Sequence, residues 1–271
     1  MRLVVCWLML AVAAAAIVPR ATAEPLTIGE TFSVQSSALK ETRRINVYLP
    51  AAYVDGEARL PVLYMPDGGV AEDFLHIMGL VQILISNGSM RPFILVGIEN
   101  TERRRDLTGP TDQEEDRKVA PRVGGSAAFR AFIRDELMPS VNKRYRTTNE
   151  RAIIGESVAG LFVVETMVLE PALFQSYIAV DPSLWWNKEA LTKQAETAFA
   201  RRPSASVSLF IAGSDNDGNA GVVKAFANML AKHAPKTVIW HYEPMPGETH
   251  GTIFHPAALK ALRAMFKPRA Q

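Results

Sequence analysis

The stretch RAIIGESVAGLFVVETMVL, residues 151–169, is the most informative part of the sequence about the fold. It begins with a short apolar run of the kind found in strands that are buried on both faces of a sheet. It ends with twelve residues that are apolar almost all round, which predicts a central helix pressed against that sheet. Between the two lies GESVAG, residues 155–160. The stretch therefore predicts a buried strand, a tight turn and a buried helix in direct succession.

The rest of the chain continues this alternation of strand and helix. Further buried strands are predicted for the short apolar runs at residues 61–65, 93–98, 177–180, 207–212 and 237–240. Helical patterns occupy residues 72–86, 127–143, 188–200, 221–232 and 257–266. Residues 26–37 and 43–49 alternate in polarity, which indicates antiparallel strands with one wet face. The order predicts an α/β protein with antiparallel N-terminal strands, a mainly parallel central sheet and helices on both faces, as in the α/β-hydrolase architecture.

The first 23 residues predict a secretory signal peptide. Arg2 precedes an apolar run at residues 3–18, and Ala21-Thr22-Ala23 supplies a small-residue cleavage site. Cleavage would remove Cys6, the only cysteine, and would leave residues 24–271 as a formally neutral chain without a linker-like segment. We therefore expect one α/β domain in the periplasm, with no membrane anchor after signal removal and no nucleic-acid partner.

Ser157 is the candidate nucleophile in GESVAG. A hydrolase nucleophile elbow reads G-x-S-x-G, because the strand and helix backbones nearly touch on either side of the serine. Gly155 meets this requirement, and Ala159 replaces the second glycine with the smallest possible side chain. The alternative is that GESVAG is only a tight turn between strand and helix.

A serine nucleophile needs a base, and His250 in PGETHGT follows the last predicted strand, where a Ser…Asp…His chain order places it. His255 is the second choice. The acid is expected after the penultimate strand, where Asp215 is favoured over Asp217. Glu248 is a third possibility. All three carboxylates also fit plain turn chemistry.

Backbone amides should stabilise the oxyanion. One is expected from Val158, directly after the serine, and another from Gly69 or Val70, in a loop that Asp67 would shape. The polar and densely charged residues 100–125 fit no strand or helix. Because they follow a buried strand, they are expected to form a functional or mobile loop at the ligand-binding edge of the sheet.

With these residues placed, the chain resembles the putative-esterase (esterase D-like) family of α/β hydrolases, particularly its branch of periplasmic enterobactin and salmochelin esterases. The similar segments are PVLYMPDGG, VGIENTERRRDLTGP, AFIRDELMPSVNKRYRTTNERAIIGESVAGLF, FQSYIAVDPSLWWN and ETHGT. The resemblance implies that Ser157 is the nucleophile and His250 the base.

The resemblance also implies substrate-binding residues. Arg105 and Asp106 would shape or line the pocket, and Trp185 and Trp186 would form an aromatic wall, with core packing as the alternative for both tryptophans. Two departures from the family pattern are Glu156 before the serine, where histidine is common, and Val158-Ala159 after it, where two glycines are common.

The sequence thus predicts an exported serine carboxylic-ester hydrolase that acts on a small-molecule ester through an acyl-enzyme, without a metal or organic cofactor. A siderophore trilactone is the expected substrate, since it fits the exported location and the family branch, and the arginines at residues 103–105 could attract an anionic catecholate. The alternative for these arginines is a solvated loop in which Asp112, Glu114, Glu115 and Asp116 balance their charge. A simple acyl or feruloyl-type esterase, an acyltransferase and a non-catalytic hydrolase-fold binding protein remain alternatives. The oligomeric state stays open.

Overall fold

One eight-stranded sheet organises the computed structural model, which describes residues 23–201, 206–215 and 219–268. The strands are Glu30–Ser36 (β1), Glu41–Tyr48 (β2), Leu60–Pro66 (β3), Ile94–Ile98 (β4), Thr147–Glu156 (β5), Ser176–Val180 (β6), Val207–Ser214 (β7) and Val238–Met245 (β8). Their order is β1-β2-β4-β3-β5-β6-β7-β8. Strand β2 is antiparallel to both β1 and β4, and every other pairing is parallel. The predicted fold class is confirmed.

Helices cover both faces of this sheet. They are Ala51–Val54 (α1), Phe74–Ser86 (α2), Arg103–Leu107 (α3), Glu114–Lys118 (α4), Ser126–Phe132 (α5), Met138–Arg144 (α6), Val158–Leu169 (α7), Trp186–Ala200 (α8), Ala220–His233 (α9) and Phe254–Met265 (α10). A π-helical turn, Ile133–Leu137, joins α5 to α6. None of the helices within the described ranges is long and apolar enough to cross a membrane.

The core has two layers because successive side chains of a strand point to opposite faces. In β3, Val62 and Tyr64 face the layer covered by α5 to α9, whereas Leu63 and Met65 face the layer covered by α2 and α10. Helix α7 is buried along its whole length except at Leu169, as its all-round apolar sequence predicted. The stretch at residues 151–169 therefore forms the centre of the molecule.

The segment at residues 100–125 differs from the expectation of a loop without regular structure. It contains the short helices α3 and α4. Buried ion pairs hold the first of these, since Asp106 accepts hydrogen bonds from Arg43 of β2 and from Arg105. Five-residue helices have little stability of their own, so these tertiary contacts, absent from any local pattern, stabilise them.

Candidate active site

The turn between β5 and α7 holds Ser157 in a strained conformation. Its φ of 60° and ψ of −121° lie in a region that residues other than glycine rarely occupy. A Cβ atom on Gly155 would lie 2.7 Å from the backbone of Ala159, which explains why glycine stands there. The Ala159 methyl group is fully buried at this contact. Alanine thus fits at the position where the motif G-x-S-x-G has its second glycine.

Gly160 has a different role from the missing motif glycine. A Cβ atom there would lie 3.1 Å from the Cα atom of Pro182 and 3.1 Å from the carbonyl oxygen of Val180. The chain that leaves β6 therefore passes close over the first turn of α7. This close approach brings the residues after β6 next to Ser157, and the amide of Ser183 donates to the Ser157 carbonyl at 3.0 Å.

His250, on the loop between β8 and α10, meets Ser157 across the sheet edge. Its Nε2 lies 2.9 Å from Ser157 Oγ. Its Nδ1 lies 2.7 Å from Oδ2 of Asp181, the residue that directly follows β6. With Nδ1 protonated and donating to Asp181, Nε2 is free to accept the serine proton. The three side chains thus form a serine–histidine–aspartate relay.

Asp181 is completely buried and firmly held. Oδ1 accepts from the Ser214 amide at 3.1 Å, Oδ2 accepts from the Ser214 hydroxyl at 2.8 Å, and the Asp181 carbonyl accepts from Asn219 Nδ2 at 3.0 Å. Burial alone would raise the pKa of Asp181, but the hydrogen bonds from His250 and Ser214 outweigh it and hold this pKa below its ordinary value. The carboxylate therefore stays ionised, as a partner of His250 must be.

The carboxylates favoured from the sequence lie elsewhere. The Asp215 amide donates to the Glu248 carbonyl at 3.1 Å, and the Asp215 residue lines a neighbouring cavity beside Lys224 and Tyr242. The Glu248 carboxylate accepts from the Thr252 hydroxyl at 2.7 Å. Asp217 lies outside the described residues. The carboxylate at Nδ1 of His250 belongs to Asp181, which directly follows β6, the strand before the penultimate one.

His255, the second choice for the base, is not at the site. Its Nδ1 lies 3.0 Å from Nε2 of His76, and the two rings are stacked with centroids 5.0 Å apart. Burial, with the neighbouring His255, lowers the pKa of His76 below its ordinary value. These two histidines contact each other and not Ser157.

The predicted oxyanion donors have different environments. The Val158 amide belongs to the first turn of helix α7. The first amides of a helix have no acceptor within the helix, and they lie at its N-terminus, the positive end of the helix dipole. The Gly69 amide donates to Glu72 Oε2 at 2.7 Å. Within the described part of the chain, the Val70 amide makes no such bond. Of the two loop amides considered from the sequence, the Val70 amide is thus the one without a hydrogen-bond acceptor in the described part of the chain.

Asp67 shapes the loop after β3 from a left-handed conformation, with φ of 56°. Its carboxylate accepts two hydrogen bonds from Arg103, both at 2.7 Å, and one from Asn100 Nδ2 at 2.6 Å. Arg105 is similarly engaged with Glu41 at 2.7 Å. These contacts engage the guanidinium groups of Arg103 and Arg105, so neither group is free to bind a ligand.

Arg104 differs from its two neighbours. It lines an open cavity of about 420 Å³ together with Ser157, Val158, Ser183, Trp185, Asn219 and His250. In the described ranges its guanidinium has no carboxylate partner. Trp185 lines the same cavity and is 37% exposed, whereas Trp186 is buried and donates from Nε1 to the Gly109 carbonyl at 2.9 Å. The predicted aromatic wall thus consists of Trp185 alone, and Trp186 belongs to the core.

The arginine that faces the cavity was not singled out from the sequence. Asp106, which was expected to shape or line the pocket, is buried and bound to Arg43 and Arg105, so it shapes the segment without reaching the cavity. The sequence offered no signal that separates the three arginines, because the helix α3 that carries them was not predicted.

Comparison with known proteins gives the family. The sequence model of the family described as "Putative esterase" matches residues 36–239. The chain belongs to this esterase family. The ferri-bacillibactin esterase BesA of Bacillus subtilis (strain 168) is 30% identical to this esterase-family chain over 65% of its length and 66% of the relative. A siderophore triacetylfusarinine C esterase of Aspergillus fumigatus is also 30% identical, over 65% of the chain and 63% of the relative.

These alignments span slightly less than two-thirds of the relatives' own lengths. Among solved structures, an IroE-like serine hydrolase from Shewanella oneidensis superposes on this member of the esterase family with a TM-score of 0.81 and 29% identity, covering 88% of the chain and 80% of that structure. The predicted resemblance to the esterase family is confirmed.

Proposed function

We propose that the chain is an exported serine carboxylic-ester hydrolase with Ser157 as nucleophile, His250 as base and Asp181 as the residue that orients it. The observation that carries this proposal is the continuous relay from Ser157 Oγ to His250 Nε2 at 2.9 Å and from His250 Nδ1 to Asp181 at 2.7 Å. Membership of an esterase family and similarity to a solved serine hydrolase support the same chemistry.

The reaction follows from this geometry. Ser157 Oγ forms a bond to the ester carbonyl carbon while its proton passes to His250 Nε2. The Val158 amide, with the Val70 amide as second donor, stabilises the oxyanion of the tetrahedral intermediate. The alcohol leaves with the proton from Nε2, and an acyl-enzyme remains. A water molecule then gives a proton to Nε2 as it attacks the acyl carbon. Collapse of the second tetrahedral intermediate returns that proton from Nε2 to Ser157 Oγ and releases the carboxylic acid.

The substrate we propose is a siderophore ester with anionic aromatic groups. Two relatives are named as siderophore esterases. In this chain, Arg104 offers a guanidinium without a carboxylate partner within the described residues, and Trp185 offers an aromatic face in the same cavity as Ser157. A cation and a half-exposed aromatic ring that line one cavity suit a planar anionic group such as a catecholate.

Export is part of the proposal and rests on the sequence of residues 1–23, most of which lie outside the described ranges. A basic residue, an apolar run and a small-residue cleavage site form a secretory signal. We expect secretion to the periplasm and a mature chain of residues 24–271 that folds as one domain. N-terminal sequencing of the secreted protein should find Glu24 first.

Replacing the nucleophile tests the reaction. Ser157→Ala removes the attacking oxygen, so turnover of a p-nitrophenyl acyl ester should fall by about 10⁶-fold, to the residual rate left by binding and the oxyanion site. Circular dichroism and thermal unfolding should match those of the unchanged protein. A variant that hydrolyses the ester as fast as the wild-type protein would exclude Ser157 as nucleophile.

Replacing the free arginine tests the substrate. Arg104→Gln should raise KM for enterobactin by about ten-fold, since one charge-assisted contact is lost, and should leave a neutral p-nitrophenyl butyrate almost unaffected. Arg117→Gln is the matched control, because Arg117 is exposed on α4 and does not line the cavity. Equal losses on both esters, or no loss on enterobactin, would contradict an anionic substrate bound by Arg104.

A further inference from the structure

Glu156 precedes the nucleophile and is not used in the reaction as written above. It ends β5, and its side chain is 16% exposed. Its Oε1 lies 3.5 Å from His250 Nε2, the same nitrogen that lies 2.9 Å from Ser157 Oγ. The imidazole of His250 is thus placed between two carboxylates, Asp181 at Nδ1 and Glu156 at Nε2. An imidazole with a carboxylate at each nitrogen is best satisfied when both nitrogens carry a proton.

The surroundings of Glu156 make its charge sensitive to pH near neutrality. Burial raises the pKa of Glu156 to about 7, against the attraction of His250 and Arg103, and Asp73 and Asp67 add to the rise. The hydrogen bond to Asp181 raises the pKa of His250, burial opposes this rise, and the charge of Glu156 adds to it, while Arg103 opposes it. Because the carboxyl group of Glu156 and the imidazole of His250 lie 3.5 Å apart, the charge of each depends on the charge of the other.

We propose that Glu156 is a positioning residue that acts through His250, where its carboxylate stabilises the imidazolium from the Nε2 side and sets the pH at which the base becomes available. This inference rests on the proposed function, because it assigns a further role within the same site. The contact of 3.5 Å between Glu156 Oε1 and His250 Nε2 gives Glu156 this role, whatever its place in the sequence motif.

Two opposite effects follow from this contact. In the resting enzyme, ionised Glu156 favours a proton on Nε2 of His250. A protonated Nε2 cannot accept the proton of Ser157, so the base is unavailable. During acyl transfer, the same carboxylate stabilises the imidazolium that forms when Ser157 loses its proton. Loss of the charge should therefore extend activity to lower pH and reduce the maximal rate.

An ionised neighbour raises the pKa of His250, and the enzyme needs neutral His250, so kcat/KM rises with pH as His250 loses its proton. Glu156→Gln removes the charge and keeps the shape. The rising limb of kcat/KM for a p-nitrophenyl ester should then move down by about one pH unit, and the plateau of kcat should fall by about ten-fold.

A matched control variant exists elsewhere in the chain. Glu243 contacts His241 Nε2 at 2.9 Å, in an exposed histidine–glutamate pair that does not include Ser157 or His250. Glu243→Gln removes a carboxylate from a histidine, and also from Lys260 Nζ at 2.5 Å, away from the site, so its pH profile should coincide with that of the unchanged enzyme. Glu156→Asp keeps the carboxylate and should return the rising limb toward the wild-type position.

A second measurement reads the contact without turnover. In a Ser157→Ala background, NMR should show the His250 imidazole titrating at a higher pH with Glu156 present than with Gln at that position. Three results would overturn the inference. They are an equal His250 titration in both proteins, a His250 titration at higher pH in the protein with Gln at position 156, and a uniform loss of rate in Glu156→Gln with the rising limb of kcat/KM unmoved. Should Ser157→Ala keep full activity, the proposed function would fail while the titration still reports whether Glu156 and His250 are coupled.

Discussion

Asp181 combines three properties that suit a residue orienting a catalytic histidine. Its backbone is left-handed, with φ of 42°, which turns the side chain back over the end of the sheet toward His250. The carboxylate is buried, so its charge is weakly screened and its interaction with the imidazole is strengthened. Hydrogen bonds from Ser214 fix its position, so that only one carboxylate oxygen faces His250. The strain at this residue is compensated by these contacts.

The role of Asp181 can be separated from that of Asp215 by two substitutions. Asp181→Asn should lower kcat by about 10⁴-fold, because an amide favours the wrong imidazole tautomer and cannot stabilise the imidazolium. Asp215→Asn should leave kcat close to that of the unchanged enzyme, since its carboxylate does not contact His250. Steady-state kinetics on a p-nitrophenyl ester measures both, and the reverse order of losses would restore Asp215 as the acid.

Ser157 and His250, the proposed nucleophile and base, could be chosen from the sequence because each has a distinctive local setting. Ser157 lies between small residues after a buried strand, and His250 lies on the loop after the last strand. The residue proposed to orient His250 could not be chosen this way, because Asp181 and Asp215 both follow buried strands of a parallel sheet. The path of the chain after β6 decides between Asp181 and Asp215, and Gly160 permits this path. Local sequence patterns do not predict such a path.

The strand–turn–helix element illustrates why spacing rules describe backbone proximity. Gly155 has no room for a side chain, because a Cβ atom there would meet the main chain of Ala159, whereas the Ala159 methyl group is accommodated. The prediction of α7 at residues 158–169 is confirmed at both ends. By contrast, α3 and α4 were missed, because their stability comes from distant partners such as Arg43 and not from their own sequence.

Stability measurements on two glycines test this account of the element. Gly155→Ala should lower the free energy of unfolding by about 3 kcal/mol, because the added methyl group forces the strand and α7 apart. Gly79→Ala, in the exposed interior of α2 with open space around its Cα, should raise it by about 0.5–1 kcal/mol. Urea unfolding monitored by circular dichroism compares the two. A Gly155→Ala protein as stable as the wild type would contradict the close approach described above.

On the scale of the whole molecule, the site is a product of the sheet. The carboxyl ends of parallel strands meet at one edge, and from this edge β3, β5, β6 and β8 lead to Asp67, Ser157, Asp181 and His250. The regular alternation of apolar strands and helices was sufficient to predict this edge as the binding side. The same alternation did not predict which charged side chains line the cavity, because ion pairs between distant segments decide this. Arg103 and Arg105 are engaged by such pairs, which leaves Arg104 for the cavity.

In the function proposed above, the sheet edge and the relay through His250 and Asp181 activate one hydroxyl group, that of Ser157. Reaction with a fluorophosphonate probe followed by peptide mass spectrometry tests it most directly, because such probes react only with an activated serine. We predict a single adduct on the peptide that contains Ser157, much slower labelling of Asp181→Asn, and no adduct in Ser157→Ala. An unlabelled wild-type protein, or an adduct that persists in Ser157→Ala, would contradict the account.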